Sequence, residues 1–547
     1  VSARTLDNDE VAGSRQMSLQ ARHTPTAPIG LAGGWSLDRL TPPSRLFGAN
    51  GLRTGPDGRI YIAQVSGSTI SALDVETGEL ETVSAKGSAI VGPDDIAFDA
   101  DGNLYATEYY QGRVTVLDTR GNTRVLRDDL PGANGITFHQ GRLFVNECRI
   151  GGRLLELNTA GEIVGVLLDG LMMPNAMEVG PDGLLYYPLL GTNEIWRIHP
   201  DGGEPERVAA DLGGPDAVKF DPQGNVVSTQ CGTGDVLRID PRTGEKTVLA
   251  TVGPGLDNLT FVGDRLFVSR FTGAIVEILP DGTTRDALPA GLNGPLDVAA
   301  SSDGRLYVAD GAFFYGLTPG RAPEVVAMLF TPGYPGYVRG VTSPAAGEFR
   351  VTTSTGQVSR YRPADQFSEV LAEGFDQLYG IDVAPDGSVA VADLGAGRVL
   401  AVRTTGVEEL ASGLDRPLGV AFGPDGTLYV SESGAGRIVT VGPAGVDTVA
   451  DGFEQPHGVL VRDGQLLVVD AGAKELVGVD LGSKARQTIV ANLPVGVPPG
   501  VTPKPLVGIA PFSGPEGPFA GITAGPDGAL YLSADADGSV LVLRPGS

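Results

Sequence analysis

One phrase returns along the chain, and it limits the fold more than any other feature. A polar or small residue leads into a short apolar strand. An Asp-Gly or related turn follows, then a second strand, then a third. The phrase reads NGLRTGPDGRIYIAQ from Asn50, DDIAFDADGNLYATE from Asp94 and NGITFHQGRLFVNE from Asn134. It returns from Asn175, Asp216 and Asp257, and six further copies begin at Leu296, Arg339, Tyr379, Leu418, His457 and Ala520. Twelve copies about 40 residues apart, each with three or four Val/Ile/Leu/Tyr-rich strands and hairpin turns, are the pattern of propeller blades. No segment of helical period and length interrupts them. Rings hold about four to eight blades, so the sequence predicts an all-β chain of two tandem six-bladed β-propellers.

The residue that opens the innermost strand divides the copies. In the first six it is Asn50, Asp94, Asn134, Asn175, Asp216 and Asp257, all short oxygen donors. In the last six it has no common chemistry. The expected organisation is therefore an N-terminal segment over 1–48, a first propeller over 49–293 and a second over 294–547. Copy twelve stops after its third strand, and part of residues 20–48 is long enough to complete that blade and close its edge.

Six Asn and Asp side chains around a narrow channel repel one another without a cation. Ca²⁺ takes six to eight oxygen ligands, and four His with two Cys offer little for a zinc site. Asn50, Asp94, Asn134, Asn175 and Asp216 are the expected ligands of Ca²⁺ or another divalent cation. The residues that end the second strands form an expected second polar layer. Among them Glu108 and Glu147 are expected to carry protons and Arg270 to bind an anion or oxyanion. The comparable acids of the second ring, Asp310, Asp393, Glu432 and Asp470, are read instead as acceptors for turn backbone. His457 and Tyr379 leave a second site open there. Cys148 and Cys231 lie on blades that are not neighbours and are not expected to pair.

Residues 45–293 resemble the six-bladed calcium propellers of the regucalcin/gluconolactonase family and diisopropylfluorophosphatase. The resemblance rests on GANGL at Asn50, GANGI at Asn134, MPNAM at Asn175 and GPDAV at Asp216. It implies a catalytic metal held by Asn134, Asn175 and Asp216. Asn50 stands where the family has Glu, and Asp94 in GPDDI is a replacement carboxylate. The implied activity is metal-dependent hydrolysis of a lactone or related ester. A lyase, isomerase or cyclase with the same pocket, and a binding scaffold with structural calcium, are the alternatives. Residues 295–547 resemble NHL-type blades, with their VAD and GAGR phrases.

The formal charge of −26 argues against nucleic acid or an anionic membrane as partner, and no apolar run reaches membrane length. A small-molecule substrate is expected, and no partner of the second propeller is specified. VSARTLDNDE has no signal pattern, so the expectation is a cytoplasmic protein, or a secreted one already processed.

Overall fold

A computed structural model of the chain describes Arg22, residues 27–508 and residues 513–546. Among these residues the sheets are twelve antiparallel meanders, eleven four-stranded and one five-stranded. The only helical turn described is a 3₁₀ turn at Pro363–Asp365. Among the described residues, no helix is long and apolar enough to cross a membrane.

The hairpins form where the sequence places Asp-Gly. Gly58 sits at φ 80° and Gly183 at φ 78°, a left-handed conformation that side chains resist. The preceding Asp57 accepts from the Arg59 amide at 3.1 Å, which fixes the turn. The strands between turns bury both faces in their centres: Ile60, Ile62 and Phe267 are fully buried in the core between the first and sixth sheets.

Two rings close on themselves. The first sheet (Leu52–Ser84) meets the sixth (Leu256–Leu288), with the Thr54 amide donating to Thr260 Oγ1 at 3.0 Å. The seventh (Asp297–Met328) meets the twelfth, with the Gly521 amide donating to the Leu296 carbonyl at 2.9 Å. The architecture is two tandem six-bladed β-propellers, and the chain crosses between them after Leu288 and before Asp297.

The twelfth blade is built from both ends of the chain. Trp35–Arg39 is its outer strand, paired in register from Trp35 opposite Pro545 to Arg39 opposite Leu541. Gly30–Leu31 adds a fifth strand to the eleventh blade, opposite Val490 and Ala491. The long insertion before the twelfth blade crosses to the first ring. Leu506 packs with Val65, Val91 and Tyr110, and Gln111 Nε2 donates to the Pro505 carbonyl at 2.9 Å.

Candidate metal and substrate site

Each blade of the first ring brings one Asn or Asp to the channel mouth, and a repeated contact fixes the backbone of four of the six. The polar residue just before the end of the second strand reaches the mouth residue of the next blade. Thr107 Oγ1 donates to the Asn134 carbonyl at 2.6 Å and Asn146 Nδ2 to the Asn175 carbonyl at 2.7 Å. Ser269 Oγ donates to the Asn50 carbonyl at 2.6 Å, and Thr229 makes the same bond to Asp257. In the second ring Thr352, Ser431 and Ser533 do likewise. The sequence carries this signal as a polar residue one place before the strand end in seven of the twelve blades.

Asn50, Asp94, Asn134, Asn175, Asp216 and Asp257 all line one cavity of about 160 Å³. Its wall comes from the residues that follow the second strands: Val65, Tyr109, Cys148, Leu190 and Phe271. Its roof comes from the second propeller, through Ala312, Phe313, Met328, Leu329, Phe330 and Tyr337. Tyr110 and Tyr337 bring their hydroxyls to 3.3 Å across the two rings. Among the described residues, no Lys, Arg or His lines the cavity.

The mouth is short of positive charge. Asn50 Nδ2 donates to Asp257 Oδ2 at 3.0 Å and Asn134 Nδ2 to Asp94 Oδ2 at 3.3 Å. These amides are the neutral donors that face the carboxylates. Burial raises the Asp94 carboxyl to about 7, with Asp95 adding to the shift. Burial, and then Asp94 with Asp95, pushes Asp216 well up; burial, and then Asp216 with Asp94, does the same to Asp257. Asn134 Oδ1 is buried with no partner.

One layer deeper the channel is plugged by an ion cluster. Arg53 Nη1 and Lys219 Nζ both donate to Glu178 Oε2, at 2.5 and 2.8 Å. Arg53 also donates to the Ile96 and Ile136 carbonyls at 2.9 and 3.0 Å. These residues sit three places after Asn50, Asn175 and Asp216, so the blade phase held their signal too. The plug's cations are committed to Glu178 and to carbonyls, and they leave the mouth carboxylates without an ion pair.

The predicted proton carriers are not in this cavity. Glu108 is fully buried on the other side of its strand end, with Arg113 Nη2 at 2.7 Å and the Val91 amide at 2.8 Å, and it takes a further bond from Thr115. Glu147 is enclosed by Arg149 at 3.0 Å and by Arg153. Arg270 Nη2 donates to the Pro254 carbonyl at 3.2 Å, while the next residue, Phe271, faces the cavity. The reason is strand alternation: neighbouring residues point to opposite sides, so Tyr109, Cys148 and Phe271 enter the pocket and Glu108, Glu147 and Arg270 leave it. Glu108 does what the second ring's acids do. Asp310 accepts from the Asn293 and Gly294 amides, Asp393 from Asp376, Glu432 from Asp415 and Asp470 from Glu454 and Gln455. Gln64 and Gln230 repeat it as amides, accepting from Phe47 and Gly213. Glu108→Ala is therefore expected to cost about 3–5 kcal/mol of stability, because Arg113 loses its buried partner. Thermal unfolding checks this; an unchanged melting temperature would show that the carboxylate has no structural role.

Cys148 and Cys231 are both buried free thiols. Among the described residues, no three or more His, Cys, Asp or Glu are gathered so as to hold a metal by themselves. A cation at the mouth therefore depends on amide oxygens beside the carboxylates. Three Asp and three Asn, with one orphaned amide oxygen and no resident cation among the side chains, suit an oxygen-seeking ion such as Ca²⁺.

No curated protein matches the chain. Among solved structures, a streptogramin B lyase is 19% identical with a TM-score of 0.38, covering 50% of this chain and 94% of that one. A virginiamycin B lyase from Staphylococcus aureus is 17% identical with a TM-score of 0.37, covering 50% and 96%. The extracellular domain of the hybrid two component system BT4673 from B. thetaiotaomicron is 9% identical with a TM-score of 0.32, covering 93% and 83%. Residues 40–270 match the model of the SMP-30/Gluconolactonase/LRE-like region, so the resemblance carried by the mouth residues extends over most of the first propeller.

Proposed function

We propose that the mouth of the first propeller binds Ca²⁺ or a similar divalent ion through Asn50, Asp94, Asn134, Asn175 and Asp216. We further infer that the protein is a metal-dependent hydrolase of a lactone or related ester. The observation that carries the reading is the buried trio Asp94, Asp216 and Asp257, whose charges have no cationic partner among the cavity-lining side chains. The family match over residues 40–270 supports the same reading.

A divalent ion there supplies Lewis acidity toward a carbonyl and acidity to water. The chain's own groups do the rest. Asn50 holds the Asp257 carboxylate at 3.0 Å on the cavity surface. In the proposed step the oxygen of a water adds to the carbonyl carbon, and Asp257 takes one of its protons. The acyl C–O bond then breaks, and the departing ring oxygen receives that proton from Asp257. The product is a hydroxy acid, which releases one proton at neutral pH. Tyr109 and Phe271 line the wall of the same cavity, beneath the apolar residues of the roof.

The test is a pH-stat assay on a panel of lactones and aryl esters, with the purified protein stripped of metal and then reloaded with CaCl₂. Turnover should require the ion, and Asp257→Asn should lower it by about 10²–10⁴, the usual worth of a proton carrier. Full turnover by Asp257→Asn, or by the stripped protein, would overturn the reading.

A further inference from the structure

The face that the second propeller turns to the cavity is mostly carbon and sulfur, with Tyr337 and Ser513 its polar members. Asn and Asp fill the floor of the cavity. Blade seven faces it with Ala312, Phe313, Met328, Leu329 and Phe330. We propose that this roof makes the second propeller the specificity element of the site, selecting substrates whose reacting carbonyl carries an aryl or alkyl group, and excluding polyhydroxylated lactones. The inference rests on the hydrolase reading for what happens at the floor, but not for what binds under the roof.

The roof is built to hold its shape. Met328–Thr331 is a tight turn: the Thr331 amide donates to the Met328 carbonyl at 2.7 Å, and the Met328 amide to Thr331 Oγ1 at 3.0 Å. The Leu329 amide donates to the Ala312 carbonyl at 2.9 Å. Leu329 and Phe330 are thus presented at a fixed tip. The Met328 thioether lies 3.5 Å from a side-chain position at Gly255 of the first ring. Phe330 is 44% exposed, with its ring centroid 6.3 Å from that of Phe271 on the opposite ring. The two aromatics flank the cavity, one from each propeller.

A volume of about 160 Å³ is close to that of an apolar cavity that admits benzene. A ligand that reaches the floor with its carbonyl must place its remaining atoms against Val65, Leu190, Phe271 and the roof. An aryl or short alkyl group fits there without leaving a polar atom unpaired. A sugar lactone would set several hydroxyls against a wall and roof that are mostly carbon and sulfur, beside a few polar groups such as those of Asn293 and Tyr337. Each hydroxyl that gives up water without a new partner lowers affinity by roughly tenfold.

The experiment separates binding from turnover. Unreactive lactams replace the lactones, and their binding to the calcium-loaded full chain is measured by calorimetry. Dihydroquinolinone is expected to bind at least about 30-fold more tightly than gluconolactam, and Leu329→Ser with Phe330→Ser to remove most of that difference. Both changes lie at the tip of a surface turn, so the fold is expected to tolerate them. A circular-dichroism melt of the double variant confirms that. In the pH-stat assay, the same variant should lose about 30-fold in kcat/KM for dihydrocoumarin and less than about threefold for γ-butyrolactone, which is too small to reach the roof. Gluconolactam binding as tightly as dihydroquinolinone would overturn the inference. So would an unchanged preference in the folded double variant, or no binding by either lactam. Roof-dependent lactam binding without turnover of any lactone or ester would leave the roof standing and remove the hydrolase reading.

Discussion

Stripped of divalent ions, the protein should lose stability as pH rises from about 4 to 7, and calcium should offset a large part of that loss. Asp94 has a folded-state value of about 7 against an ordinary 3.8, and Asp216 and Asp257 move the same way. A carboxyl raised by folding binds its proton more tightly in the native state. Its contribution is complete below the unfolded value and disappears as pH climbs through the folded one. For Asp94 alone the span is on the order of 4 kcal/mol, from about 1.36 kcal/mol per pH unit. Glu178 acts in the other direction and in another window. Burial alone would raise it, yet Lys219 and Arg53 hold it low, so its stabilisation is lost only as pH falls below about 4.5. Calcium at about 100 times its dissociation constant adds roughly 2.7 kcal/mol. The sharpest form uses Asp216→Asn. At pH 7.5 the metal-free variant should melt higher than the metal-free parent, because one of three repelling charges is gone. Its response to calcium should be mostly lost. Calorimetric melts across pH, with and without CaCl₂, decide the matter. A parent protein whose melting temperature ignores calcium would remove the cation from the site.

Arg22→Ala should be among the most damaging single changes outside the apolar core. The Arg22 guanidinium donates to four carbonyls from three distant parts of the chain: Leu46 at 2.8 Å, Leu292 at 3.2 Å, and the neighbours Asp535 at 2.7 Å and Ala536 at 3.1 Å. It also stacks on Phe47, 3.7 Å from the ring centroid. Burial lowers its own value to about 10, and Asp310, Asp537 and Asp535 oppose the shift. One side chain thus clamps the entry to the first propeller, the crossover and the last blade of the second. Bonds to a charged donor contribute about 1.5–3 kcal/mol each, without full additivity, so a total near 4 kcal/mol is expected. Arg22→Lys should recover only part of it, since an ammonium lacks the planar fork. Because the clamp holds the roof over the floor, Arg22→Ala should also weaken lactam binding. A melting temperature within about 1 °C of the parent would refute the clamp.

The blade count, the division into two rings and the Asn/Asp mouth were legible because each depends on local signals repeated at one interval. An Asp-Gly turn needs only its own four residues, and a residue's place in the phrase fixes its distance from the axis. The five expected ligands and Asp257 meet at one cavity for that reason. The second polar layer was misread by one position. Glu108, Glu147 and Arg270 stand beside the cavity residues in sequence, yet strand alternation sends them to the far side. Glu108 could have been recognised as a backbone acceptor by the reasoning already applied to Asp393 and Asp470, since all three occupy the same place in the phrase.

By itself the sequence determined twelve blades and an oxygen-rich mouth, since turns, alternation and repeat are properties of neighbouring residues. Only the tertiary structure decided what covers that mouth. The Trp35–Arg39 strand, the Arg22 clamp, the Arg53–Glu178–Lys219 plug and the Phe313–Met328–Phe330 roof join residues separated by dozens to hundreds of positions. No local periodicity encodes such contacts. They follow from ring closure and from burying the apolar edge of one propeller against the other, which are properties of the whole chain.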